Sequence, residues 1–217
     1  MGNVINLDAA RTARRAGGRR PARATQPVEF YFDLADAFAY LAAERVDRCF
    51  GQVVWIPASA AALHRRSPGA DGLLGERRRR GAEIRSLALR MPLQWPERYP
   101  AEVPGAMRAA AHAAELGRGG AFALAAGRLA FCGGFDLEDP EILAEAAAAA
   151  GIGLDECLAA ARDSGHDGAI EAAGRRLLAL GADDLPVLRT GRTLAAGEER
   201  ISALAAAARA RLVALGH

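Results

Sequence analysis

The position in this chain best placed to do chemistry is a carboxylate at a change of period. Val28 to Val46 reads VEFYFDLADAFAYLAAERV: a short apolar and aromatic run, a polar break over Asp33 to Asp36, then Phe38, Leu41, Ala42 and Val46 at helical spacing. This pattern predicts a buried strand that delivers its chain into the first turn of a helix. A helix N-terminus at the end of a strand presents free N–H groups and the positive end of the helix dipole, so it can hold an anion such as a thiolate. Asp36 stands at the N-cap position, where its carboxylate can instead accept from those N–H groups and do no more than finish the helix. On the residues alone both readings stay open.

Other candidate groups are scattered. Cys49, Cys132 and Cys157 form neither a C-x-x-C pair nor a metal-ligand spacing, which fits buried small residues in a reducing cytosol better than a disulfide-stapled secreted domain. His64, His112, His166 and His217 are isolated, and no metal site is expected. The run Arg77 to Arg80 has the electrostatic look of a phosphate-binding patch, but no aromatic platform interleaves it and the net charge of the chain is only +2. The reading preferred is a solvated helix face, with no nucleic-acid partner. No segment has the length of a membrane span and the N-terminus lacks the apolar centre of a secretory signal, so a cytoplasmic protein with no membrane partner is expected.

The elements that must position Asp36 follow from pattern and punctuation. Residues 1–27 are an Arg-rich lead with a helical turn or two near Asp8 to Arg15, ending at Pro27. A strand and the helix Ala37 to about Phe50 follow, then a second buried strand from Gln52 to Ile56, before Pro57. From 59 to 181 there is no convincing strand. Helices are expected at Ser59–Arg66, Leu73–Arg90, Pro104–Leu116, Gly120–Cys132, Pro140–Ala150, Leu154–Asp163 and Asp167–Leu180. Leu185 to Thr190, Gly191-Arg192 and Thr193 to Ala195 read as a hairpin, and a last helix runs Glu198 to Leu215. The predicted fold class is α/β, a thioredoxin-like fold formed by 28–58 and 182–217 with a large all-helical insertion at 59–181.

Several stretches carry a resemblance. Phe30 to Tyr40 (FYFDLADAFAY) resembles the F-D-F-x-S-P-x-S-Y segment of 2-hydroxychromene-2-carboxylate isomerases and kappa-class glutathione transferases, in the DsbA-like group. Pro92 to Pro96 resembles the family's P-F-x-x-P, and Tyr99-Pro100 through Met107-Arg108-Ala109 is similar to its F-P-x-N-T-x-x-A-M-R-A. Phe122 to Gly151 is similar to the helix pair around its I-x-D-P-E-V-L turn, Gly181 to Pro186 stands for G-V-F-G-V-P, and Gly197 to Ile201 for G-Q-D-R-L.

The resemblance implies an isomerase or glutathione-dependent transferase acting on a small substrate, aromatic ones included, between the two parts of the fold, and a homodimer. It also implies a cis bond at Pro186 and a Leu185 backbone that pairs with an extended ligand such as glutathione, as an added strand would. The ligand-binding residues carried over are Glu102, Leu185, Pro186, Glu199 and Arg200. Departures fall on the catalytic positions: Asp36 replaces the thiolate-stabilising Ser, Ala37 its Pro, Glu102 and Val103 the Asn-Thr pair, Glu199 the Asp of D-R, and Ala196 a Trp. An ionised Asp only accepts, and two negative charges about 4 Å apart repel by roughly 4 kcal/mol at an effective dielectric near 20. Asp36 is therefore expected to oppose a bound thiolate and to do acid–base work in its place. The alternative is a catalytically degenerate thioredoxin-fold binding protein that does not use glutathione.

Overall fold

The computed structural model describes residues 27–63, 72–99 and 101–215. Strand β1 (Val28–Phe32) runs into helix α1 (Ala37–Cys49), and β2 (Val53–Pro57) follows. The helical block comprises α2 (Ala60–Leu63), α3 (Gly72–Leu89), α4 (Pro104–Glu115), α5 (Gly119–Phe131), α6 (Pro140–Ala150), α7 (Leu154–Arg162), a 3-10 turn (Ser164–His166) and α8 (Asp167–Ala179). Hairpin β3 (Val187–Thr190) and β4 (Thr193–Ala196) leads into α9 (Glu198–Leu215). The N-terminal lead and the end of the helix predicted to reach Arg66 lie outside the described residues.

The sheet order is β2-β1-β3-β4, with β1 parallel to β2 and antiparallel to β3. This is the α/β arrangement expected from the sequence. The two parallel strands need a crossover and α1 supplies it. Alternation along β1 splits the core between the sheet's two faces. Phe30 and Phe32 pack under α1, α5 and Trp55, whose ring meets Phe30 edge-on at 5.0 Å. Tyr31 points the other way, into a smaller cluster with Leu63, Leu177, Leu185 and Val187.

The element boundaries follow the capping chemistry. Asp36 accepts from the Phe38 N–H to cap α1, and Asp139 with Pro140 starts α6, which ends at Gly151 with φ of 71°. Close approach replaces side chains where α8 lies on the chain near the site: a Cβ on Gly174 would sit 2.6 Å from the Ser59 carbonyl oxygen and 2.9 Å from the Ala62 Cβ. On an open helix face Gly→Ala gains about 1 kcal/mol. Here Gly174→Ala is expected to lose about 1–3 kcal/mol by overpacking, read as a lowered urea midpoint at unchanged slope. A raised midpoint would show that the contact is slack.

Candidate functional site

The site is assembled at the carboxyl end of β1. The turn out of the strand is held by Asp33, whose Oδ1 accepts from the Ala35 N–H at 2.9 Å and whose Oδ2 accepts from the Ala60 N–H at 3.3 Å, tying β1 to the start of α2. Burial pushes the Asp33 carboxyl up against the pull of these two N–H donors. Three residues on, Asp36 is 9% exposed and its Oδ1 takes the Phe38 N–H at 3.1 Å. The helix end that could hold a foreign anion is thus occupied by the protein's own carboxylate.

Arg78 of α3 is the partner of that carboxylate. Its Nη2 donates to Asp36 Oδ2 at 2.9 Å and to the Leu185 carbonyl at 3.2 Å, and its Nη1 donates to Asp184 Oδ2 at 2.9 Å. The guanidinium also lies 5.0 Å from the centre of the Phe38 ring. This corrects the reading of Arg77 to Arg80 as a solvated face. Arg77 and Arg80 are exposed, whereas Arg78 shares a helical stripe with the buried Ala82 and Ser86, four and eight residues on. That stripe was the signal in the sequence; the unbroken run of four arginines hid it.

The three charges are unequal in their consequences. Burial raises the Asp36 pKa most; Arg78 lowers it, Asp184 raises it again, and the carboxyl comes to about 6 from an ordinary 3.8. Arg78 pays a desolvation cost too, but two carboxylates beside one guanidinium hold it firmly charged. Tyr99, also on the cavity wall, is pushed up to about 12, mainly by burial and then by Asp36.

Leu185 and Pro186 are joined by a cis peptide bond, as the resemblance implies. The role expected of the Leu185 backbone meets an obstacle. Its N–H donates to Asp184 Oδ1 at 2.9 Å and its carbonyl accepts from Arg78, so both groups that would pair with an added strand are engaged within the chain. Asp184 occupies the Gly position of the family's G-V-F-G-V-P, and it makes this internal arrangement.

A cavity of about 790 Å³ opens between these residues and helices α3, α4 and α8. Asp36, Glu102 and Leu185 line it together; Pro186, Glu199 and Arg200 do not. Glu199 and Arg200 are exposed on the first turn of α9. Their neighbour Glu198 is the buried one, accepting from Arg85 and from the Ser202 hydroxyl. Among the described lining residues are the acids Asp33, Asp36, Glu76, Glu102, Asp167, Glu171 and Asp184 against three arginines, Arg78, Arg79 and Arg108. Arg108 is clamped by Asp167, with its Nε and Nη2 each 2.7 Å from one carboxylate oxygen. Arg79 stacks over Trp95 at 5.1 Å. Ala35, Val103, Met107 and Ile170 give the wall apolar surface. The cavity has the size of a small-molecule site and, among the described residues, a negative lining.

Among the described residues no helix is long and apolar enough to cross a membrane. The sequence matches no family model and no curated protein. Solved structures are similar in fold. A 2-hydroxychromene-2-carboxylate isomerase superposes with a TM-score of 0.72 at 14% identity, over 87% of this chain and 97% of that one. A structure described as a DsbA oxidoreductase from Streptomyces coelicolor gives 0.61 at 19% identity, over 84% and 88%. One described as a protein disulfide isomerase from Nitrosomonas europaea gives 0.65 at 14%, over 83% and 95%. The fold is therefore the DsbA-like thioredoxin fold with a helical insertion, as the sequence resemblance implied.

Proposed function

We propose that this chain, with its DsbA-like thioredoxin fold, is an enzyme that relocates a proton within a small neutral or cationic substrate, and that it does so without glutathione. The observation that carries this reading is Asp36: a carboxyl on the cavity wall, held by Arg78 and brought to about 6, so that both protonation states are populated near neutral pH. As carboxylate it removes a proton from one substrate atom, and as carboxylic acid it delivers a proton to another. The product is an isomer and no co-reactant is consumed. Arg78 fixes the carboxyl's orientation and lowers a pKa that burial raises.

Three features speak against the thiol chemistry of similar folds. The cysteines are free and none lines the cavity, so a dithiol route lacks its pair. The backbone of Leu185 is internally engaged, and glutathione is a net anion facing a lining in which, among the described residues, acids outnumber arginines. Calorimetry at neutral pH is expected to show no saturable binding of glutathione by the wild type, and no recovery in Asp36→Ser, because that change leaves Leu185 occupied. Saturable binding by either would return the site to the thiol reading.

The direct test compares two probes of one shape and different charge, a small β,γ-unsaturated ketone bearing a carboxylate and the same ketone bearing a carboxamide, each with an acidic C–H between its carbonyl and its double bond, incubated with the full chain in D2O without glutathione. Isomerisation or solvent deuterium uptake is expected with the neutral carboxamide in preference to the anion. The rate should rise as Asp36 loses its proton around pH 6. If both probes bind and neither exchanges, the chain is a binding protein and the catalytic reading fails.

A further inference from the structure

The sequence presents its histidines as isolated, and the fold brings two of them together. His112 lies on α4 and His166 closes the 3-10 turn before α8, yet their ring centres are 6.1 Å apart. Glu115 stands three residues beyond His112 on the same helix face, with Oε1 3.7 Å from His166 Nδ1. His112, Glu115 and His166 each offer one ligand atom, and these atoms all lie within 4.8 Å of one another. A fourth group, Glu156 of α7, has its Oε1 3.0 Å from His112 Nε2. We infer that this cluster is a binding site for a divalent transition-metal ion of the zinc type.

The donor set suits that ion. Two imidazoles and a carboxylate are the ligands of open zinc sites, whereas magnesium and calcium take oxygen alone. Two neutral imidazoles with two carboxylates carry two negative charges, which balance a divalent cation. Bonds of about 2.0–2.1 Å place tetrahedral ligand atoms roughly 3.3 Å apart, so separations that reach up to 4.8 Å must close by up to about 1.5 Å. The side chain free to make that movement is Glu115, 66% exposed, while the imidazoles are only 21% and 15% exposed and are set by packed elements. The turn carrying His166 is fixed by Asp163, whose Oδ1 accepts from the Gly165 N–H at 2.8 Å. Stability alone gives little reason for the grouping, because exposed ion pairs contribute little and two adjacent imidazoles repel once both are charged.

The site also adjoins the cavity. His166 precedes Asp167, and Arg108 lies one turn before His112, so an ion here would pin the two elements that carry the Arg108–Asp167 pair on the cavity wall.

The test uses the untagged full chain, freed of metal with EDTA, titrated with Zn2+ by calorimetry and with Co2+ by visible absorption. One ion per chain is expected, with the intense d–d bands of a four-coordinate Co2+ site, a raised melting temperature in Zn2+ and no response to Mg2+. His112→Ala and His166→Ala should each weaken Zn2+ binding by at least about 10-fold, the loss seen when even an outer partner of a metal ligand is removed. Neither histidine is in the core, and circular dichroism verifies that the variants fold. Absence of saturable binding, or binding unchanged in the double variant, would overturn the assignment; the latter would place the ion on other residues.

Discussion

Asp36→Asn is expected to make the protein more stable and catalytically inert. Asparagine is a good N-cap, so the bond to the Phe38 N–H survives the change. The stability gain follows from the direction of the Asp36 shift. Its folded value, about 6, lies above its ordinary 3.8, so the folded state binds the extra proton and the ionised form disfavours folding. That penalty is fully present above about pH 6 and disappears as pH falls toward 4. A shift of this size corresponds to about 3 kcal/mol, an upper bound on what a neutral isostere recovers at pH 8. Urea unfolding of both proteins at pH 8 and pH 4 checks it: the variant should lead at the higher pH and match at the lower. Turnover should fall by roughly 10²–10⁴-fold, the usual contribution of a positioned acid–base group. Stability gained as activity is lost is the mark of a charge kept for its chemistry. A variant less stable at pH 8 would make Asp36 a structural member of the ion network and nothing more.

Arg78→Met is expected to do the opposite. Removing the guanidinium leaves Asp36 and Asp184 facing each other and strips the Leu185 carbonyl of its donor. Breaking a buried pair by deleting one member costs about 3–5 kcal/mol; Asp184 is 39% exposed, so the loss should sit near the lower figure. The Asp36 pKa, which Arg78 holds down, should move further up, and the rising limb of the pH–rate profile should shift to higher pH with it. The double variant Asp36→Asn with Arg78→Met isolates the coupling between the pair, expected at about 1–3 kcal/mol. Additive effects in that cycle would show that the two side chains act independently. A full denaturation curve is needed, because a loss of this size is a large part of a domain's total stability.

Most of the secondary structure was legible in the sequence. The helices predicted at Pro140–Ala150 and Glu198–Leu215 have those bounds in the structure, and α1, α4, α5, α7 and α8 end one residue short of theirs. The reason is local: Asp36, Asp139-Pro140 and Gly151 write helix ends into the chain through capping and backbone freedom. The strand-to-helix junction is written in the same way, whereas the cis proline before β3 follows from the resemblance, which also joins the elements into one fold.

The candidate site was legible only in part. Asp36 was identified, but its partner was hidden in a run of arginines whose average character is solvated. Correspondence with the family motif points to Glu199 and Arg200, while it is Glu198 that turns inward. A rotation of one residue on a helix reverses which side chain is buried, and composition does not record it.

What the sequence by itself determined is therefore the periodic part: where strands and helices run, which faces are apolar, and that an acid stands at the start of α1. What only the tertiary structure decided is the charge pairing. Arg78 meets Asp36 across 42 residues and Asp184 across 106, and His112 meets His166 from a different helix. Burial periodicity is imposed by neighbours a few residues away, whereas a pKa or a ligand set is fixed by groups a few ångströms away. Chain distance carries no information about those.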